Sequence, residues 1–322
     1  MIKRIGYIDI AKGIGILLVV LGHNYGIQAS APFLHRMVFS FHIPLFFFLS
    51  GFVFHLPPSF MELLKRKFHS LMFPFLFTTF LIYFANTFFS RMDLLVAFKR
   101  MIKASFYAGG WYLEWIHLWF LPHLFVVSIF AYVIISFIRN PYIRWMILAG
   151  GFAINQSALP YFWPLQLTVA GVSYKFTGLP FSLDLVVICA FFFLLGNEVE
   201  QLDYQKWIQN RFLLLVSFLA LLALNLLTDA RLDLFLRTFD SLWINTAEAI
   251  LGIIFILALS FQIEALIPGL AAVLTYFGRI SLYILIFHWY IQEALRVKLL
   301  KLTGNIPISG WGAFIASGLV SI

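Results

Sequence analysis

Tyr7-Ile8-Asp9-Ile10-Ala11-Lys12-Gly13-Ile14-Gly15-Ile16-Leu17-Leu18-Val19-Val20-Leu21-Gly22-His23 is the stretch on which the reading of this chain turns. It belongs to an apolar run, 7–27, of the length a membrane helix needs, about 20 mostly apolar residues. Yet it carries two opposite charges and an imidazole. Outwards from it, eight further runs follow, near 37–55, 71–90, 116–138, 144–160, 181–197, 212–228, 243–262 and 271–291. A partial run, 309–322, is too short to cross and reads as a re-entrant piece or a span cut short. The runs are continuous rather than alternating, which disfavours strands and a barrel. The expectation is an all-α polytopic membrane bundle of about ten transmembrane helices, forming one integral-membrane domain over 1–322 with short loops.

Composition agrees. Of 322 residues, 62% are hydrophobic and 11% charged, and 39 are Phe; soluble globular chains have about 45–50% apolar and about 25% charged residues. This excludes an ordinary soluble enzyme, a disordered chain and a polar-surfaced nucleic-acid binder. The net charge of +8 comes from basic residues scattered between apolar runs, which points to loops facing anionic headgroups rather than to nucleic acid. The lone Cys189 allows no internal disulfide and no cysteine metal site. The N-terminus superficially resembles a signal peptide, with Lys3 and Arg4 ahead of an apolar core and Ala29-Ser30-Ala31 behind it. Asp9, Lys12 and the polar spacer 23–28 argue against cleavage. Lys3 and Arg4, a first outer loop with only Arg36, and then Lys65-Arg66-Lys67 favour an inner N-terminus.

Ionisable groups inside apolar runs are costly and therefore candidates for function. Lys12 and His23 are eleven residues apart, about three turns, so they share a helix side about 16 Å apart along the axis. Asp9 is within pairing reach of Lys12. In the second run, Phe41-His42-Ile43-Pro44-Leu45-Phe46-Phe47-Phe48-Leu49-Ser50-Gly51-Phe52, Pro44 removes a helix donor beside His42, and Ser50 and Gly51 suit close helix approach. Lys65-Arg66-Lys67-Phe68-His69 ahead of Pro74 is a cation cluster able to hold phosphates. Later come Trp119-Phe120-Leu121-Pro122-His123, then Gly278-Arg279-Ile280-Ser281-Leu282 and His288-Trp289. A small-solute transporter also fits many spans with buried charges. The charges, however, gather in the first three runs instead of recurring in matched halves. A metal hydrolase lacks a His-Glu-x-x-His pair.

Taken in order, Tyr7 to Gly13 closing with Leu21-Gly22-His23, then Phe41 to Phe52, Trp119-Phe120-Leu121 and Gly278 to His288 resemble the signatures of the acyltransferase-3 family of bacterial membrane acyltransferases, and most of all its fucose 4-O-acetylase-like branch. The resemblance spans nearly the whole chain. It implies about ten membrane helices in the bacterial plasma membrane. It also implies transfer of an acyl group, commonly acetyl from acetyl-CoA, to a hydroxyl of a cell-envelope sugar or exported polysaccharide. The partners it implies are acyl-CoA, a sugar acceptor and the lipid bilayer, without metal or nucleic acid.

The family has a basic residue eleven positions before a His, places occupied by Lys12 and His23. Many members have Arg there, and Arg grips phosphate through two parallel bonds where Lys cannot. Many also carry an Arg-x-x-Arg pair; here Arg66-Lys67-Phe68-His69-Ser70 supplies no second Arg. Acyl transfer to a hydroxyl needs a base, an oxyanion stabiliser and held reactants. The expected catalytic residues are His23, as base, with Asp9 and His42; the donor-binding residues are Lys12, Lys65, Arg66 and Lys67; the substrate-binding residues are Asn24, Arg279 and His288. No Gly-x-Ser-x-Gly elbow suggests a serine nucleophile.

Overall fold

In the computed structural model, residues 5–169, 172–202 and 204–320 are described. Lys3 and Arg4, which help set the expected orientation, lie outside them, as do the last two residues of the partial run. Helix α1 (Gly6–Gly22) runs unbroken and stops at His23, whose N–H closes back on the Leu21 and Val19 carbonyls. Asn24 then starts α2 (Tyr25–Ser30) by accepting from the Gly26 and Ile27 N–H groups, a standard N-cap. α3 (Pro32–Phe39) and α4 (His42–Phe52) follow. They are interrupted at Ser40 and Phe41, where Pro44 has no N–H to give the Ser40 carbonyl.

α5 (Phe60–Lys67), a π-turn (Phe68–Met72) and α6 (Phe73–Phe89) form one long span. The π-turn sits directly before Pro74, whose missing donor favours such a widening. Next come α7 (Leu94–Tyr107), α8 (Phe120–Phe137), α9 (Pro141–Ala158), the antiparallel strands β1 (Leu165–Val169) and β2 (Val172–Phe176), and α10 (Val186–Glu200). The chain continues through α11 (Gln205–Ile208), α12 (Arg211–Leu227), the two-residue strands β3 (Leu232–Asp233) and β4 (Thr238–Phe239), α13 (Leu242–Leu266), α14 (Pro268–Arg279), α15 (Ser281–Thr303) and α16 (Ile306–Val320).

The fold is an all-α helical bundle of membrane type with a few short strands. Among the described residues, five helices are long and apolar enough to cross a bilayer: Pro32–Phe52, Phe60–Phe89, Ile116–Phe137, Pro180–Glu200 and Leu242–Leu266. α14 and α15 make a sixth if counted as one span, although they bend by 83° between Arg279 and Ser281. The remaining expected spans fall on shorter helices such as α1 and α12, each of 17 residues, and on α9 and α16. The strands were not expected, nor was α7, which carries Lys99, Arg100 and Lys103 and therefore lacks a continuous apolar run.

The chain divides into two compact units. One comprises Met1–Leu49, Glu198–Asp233 and Phe239–Ile322; the other comprises Ser50–Asn197 and Leu234–Thr238. In the first, α1 is the centre. Ile10 packs with Ile263, Ala271 and Leu274; Ile16, Val19 and Val20 with Phe277 and Ile284; and Leu21 with Ile27 and Val38. Tyr7 and Tyr204 share a hydroxyl–hydroxyl bond of 2.5 Å at its start. In the second unit, a Cβ on Gly51 would strike the Phe193 carbonyl, and the Asn197 amide donates to the Phe54 carbonyl at 2.8 Å. Fully buried Arg237 holds Asp184 through two bonds of 2.7 and 3.2 Å, and Asp184 also accepts from the Leu179 N–H.

Glycine makes the α1–α14 crossing possible. A Cβ on Gly13 would run into the Leu274 carbonyl, and one on Gly278 into the Asp9 carbonyl. Gly269, on the same helix, faces open space. Gly278→Val is therefore expected to destabilise by about 2–3 kcal/mol, the upper part of the overpacking range, because backbone cannot move aside. Gly269→Ala should leave stability unchanged. Thermal unfolding in detergent reads both, and equal melting temperatures for the two variants would refute the account.

Candidate active site

The first unit gathers six of the ten residues expected from sequence into two clusters at opposite ends of α1. At its start, Asp9 lies between two cations: Lys12 Nζ and Arg279 Nε are each 3.9 Å from its carboxylate. The Gly13–Gly278 crossing causes this, since it presses the turn before Arg279 against the backbone of Asp9. Asp9 is largely buried, whereas Arg279 is half-exposed. The arrangement leaves positive charge facing outwards from a carboxylate-anchored base, as an anion-binding surface requires.

At the other end of α1, three imidazoles converge. The His23 ring centroid is 5.3 Å from that of His288 and 6.5 Å from that of His42, both edge-on. Phe39 fills the gap, 4.7 Å from His42 and 6.2 Å from His23, and His35 stacks on its other side at 4.2 Å. His42 and His288 are buried; His23 is partly open.

All three rings use the same device. His23 Nδ1 is 2.8 Å from the Val19 carbonyl, His42 Nδ1 3.0 Å from that of Val38, and His288 Nδ1 3.0 Å from that of Ile284 and 2.9 Å from that of Leu285. A carbonyl only accepts, so each Nδ1 carries the hydrogen, and the neutral ring keeps its lone pair on Nε2. The backbone thereby fixes the tautomer and the ring orientation of each histidine. Among the described residues no group of three His, Cys, Asp or Glu side chains is arranged to hold a metal ion.

Asn24 is placed differently from the expectation of a substrate donor. Its side-chain oxygen caps α2, and its amide donates to the Gly310 carbonyl of α16 at 2.9 Å. Gly26 and Gly310 bring those helices into backbone contact. Asn24 thus clamps the turn that carries His23. Lys65, Arg66 and Lys67 lie on α5, in the second unit. Lys65 is exposed, Arg66 pairs with Glu62, and Lys67 sits 5.4 Å over the Phe54 ring.

Sequence reasoning assigned no role to His35, Glu248 or Gln292. Glu248 is a carboxylate inside the run 243–262 and qualified by the argument applied to Asp9. Gln292 lies four residues after His288, on the same helix face, and its amide nitrogen is buried with no hydrogen-bond partner among the described residues.

With this geometry established, the comparisons with known proteins give the class. The chain matches the family model described as an acyltransferase domain, of the acyltransferase-3 family, over residues 5–322. It belongs to that family and is a membrane acyltransferase. No curated protein and no solved structure matches it.

Removing the Asn24 cap should cost about 1 kcal/mol, within the usual range of about 0.5–2. Asn24→Asp keeps the capping oxygen but loses the donor to Gly310, so it should retain more stability than Asn24→Ala while loosening α16. Melting temperatures rank the variants, and proteolytic susceptibility after residue 303 reports the docking of α16. Wild-type values for Asn24→Ala would contradict the clamp.

Proposed function

We propose that this chain is an integral-membrane O-acyltransferase, of the fucose 4-O-acetylase-like kind, with a single catalytic domain over 1–322. It moves an acetyl or other short acyl group from acyl-CoA to a hydroxyl of a cell-envelope sugar or exported polysaccharide. It works in a bacterial plasma membrane with its N-terminus in the cytoplasm. The observation that carries the reading is the fixed tautomer of His23, which leaves Nε2 as a base at one end of an unbroken helix whose other end bears Asp9, Lys12 and Arg279.

In this mechanism His23 Nε2 removes the acceptor hydroxyl proton as the oxygen attacks the thioester carbonyl. The tetrahedral intermediate collapses with loss of the CoA thiolate, which recovers the proton from the imidazolium. The products are the ester and CoA thiol. His42 and His288 shape the cleft about His23 and orient the acceptor. Lys12 and Arg279, steadied by Asp9, attract the donor's phosphates; Lys65, Arg66 and Lys67, on the other unit, are proposed separately as donor-binding residues. The axial distance from Lys12 to His23, about 16 Å, suits a donor with phosphates at one end and a thioester on a long arm. Asn24 serves by holding the His23 turn rather than by touching substrate.

A strain lacking the gene, complemented with wild type or His23→Ala, gives the test by mass spectrometry of its envelope glycans. Wild type should restore an acetyl-sized mass difference. His23→Ala should insert normally yet transfer at least about 10²-fold less, the lower bound for a lost general base. An inserted His23→Ala protein that restores the ester fully would remove His23 from the chemistry. In the purified enzyme Lys12→Ala should raise the half-saturating acetyl-CoA concentration with little change in kcat, the signature of lost uniform binding. Unchanged donor saturation would remove Lys12 from the donor site.

A further inference from the structure

Acyl transfer needs an oxyanion stabiliser as well as a base, and the groups placed so far around His23 supply none. In His23, His42 and His288 the ring N–H is turned to a backbone carbonyl, which leaves a lone pair and no hydrogen on Nε2. The amide of Asn24, the donor nearest in sequence, is spent on the Gly310 carbonyl. Lys12 stands at the other end of α1 with Arg279, about 16 Å from His23 along the axis.

α15 carries one more donor on the face that holds His288. Ile284, His288 and Gln292 recur at every fourth position and are all buried, while Tyr283, Phe287 and Tyr290 on the other side are exposed. This buried line follows α1. Ile284 packs with Ile16, Val19 and Val20, and the His288 ring lies 5.3 Å from that of His23. Four residues further on, about 6 Å at 1.5 Å per residue, Gln292 stands just past the end of α1. His23 Nδ1 is turned back to Val19. Its Nε2 therefore points past that same end, towards the level of Gln292.

Gln292 is 2% exposed, and its amide nitrogen is buried with no hydrogen-bond partner among the described residues. Leaving such a donor unmet costs about 1–3 kcal/mol. Met or Leu, equally good helix formers, would fill the position without that cost. The amide nitrogen has hydrogens to give and no charge. It gains most where its acceptor is negative, which is the condition of a tetrahedral intermediate's oxygen.

We infer that Gln292 is the oxyanion-stabilising catalytic residue of the transfer. This inference rests on the acyltransferase reading and adds the group that its chemistry lacks. As the acceptor oxygen attacks the thioester carbon, the π pair of the C=O bond moves onto its oxygen. That oxygen accepts a hydrogen bond from Gln292 Nε2 while His23 Nε2 holds the acceptor's proton. Collapse restores the C=O bond and breaks the C–S bond, and the departing thiolate takes the proton from His23. Gln292 gives up no hydrogen at any stage.

Membranes of a strain lacking the gene hold the unacetylated acceptor, so they serve as substrate for the full chain expressed in them. The test compares wild type, Gln292→Met and Gln292→Leu, with labelled acetyl-CoA as donor. Label entering the envelope glycans gives the rate per inserted protein, and purified protein in detergent gives the melting temperature. Both variants should lower the maximal rate about 10²–10³-fold, the usual cost of one lost oxyanion donor. The half-saturating acetyl-CoA concentration should stay at its wild-type value, because the bond is made only in the transition state. Gln292→Met should melt at or above the wild-type temperature, since it relieves an unmet donor; a residue kept for packing would lose stability along with rate. The proposal is overturned if either variant keeps the wild-type maximal rate, or if both lose rate only in step with melting temperature. In either event wild type still transfers acetyl, and the proposed function stands. No labelled glycan from wild type would instead overturn the proposed function, and the role of Gln292 with it.

Discussion

Two helix backbones can touch only where neither carries a side chain, and the first unit depends on one such contact. In lipid there is no hydrophobic gain from bringing helices together, so close packing and polar bonds must hold them. Gly13 and Gly278 supply the close packing where α1 crosses α14. The crossing fixes Arg279 against Asp9. The bend that follows then sends α15 in a new direction, and its second turn delivers His288 to His23. The charged end and the imidazole end of α1 are therefore set by one pair of glycines and one change of course.

The histidines show a second use of backbone. A side chain in an active site needs its rotamer and tautomer fixed by neighbours. Here the backbone does this three times, through a carbonyl four residues earlier, which for His42 lies on α3 across the break before α4. No acidic partner is required to hold the rings, and α1, α4 and α15 each carry a ring already oriented. Asn24 and the Gly26–Gly310 contact extend the same economy to the turn beyond α1.

Hydropathy made most of the spans legible. The runs 116–138, 181–197, 212–228 and 243–262 fall on Ile116–Phe137, Pro180–Glu200, Arg211–Leu227 and Leu242–Leu266. It failed where charge and helix coincide. Lys65 to Lys67 hid the start of the span Phe60–Phe89, and Lys99, Arg100 and Lys103 hid α7. It also failed at the bend within the run 271–291, because apolarity records depth and not direction. Asn24 stood inside an apolar run and was read for its chemistry, although an Asn ahead of a new helix is a capping signal. Spacing placed Lys12 and His23 about three turns apart along one helix. It could not show that His42 and His288 meet His23, because periodicity along one helix contains no information about its neighbours.

The length of α1 has a consequence for the membrane around it. Seventeen residues rise about 25 Å, less than the hydrocarbon thickness of about 30 Å. At the centre of its unit α1 packs against other helices, so within a bilayer of that thickness at least one of its ends would lie below the headgroup level. The Asp9 ion pairs and the His23 imidazole, at its two ends, are thus separated by less than the hydrocarbon thickness.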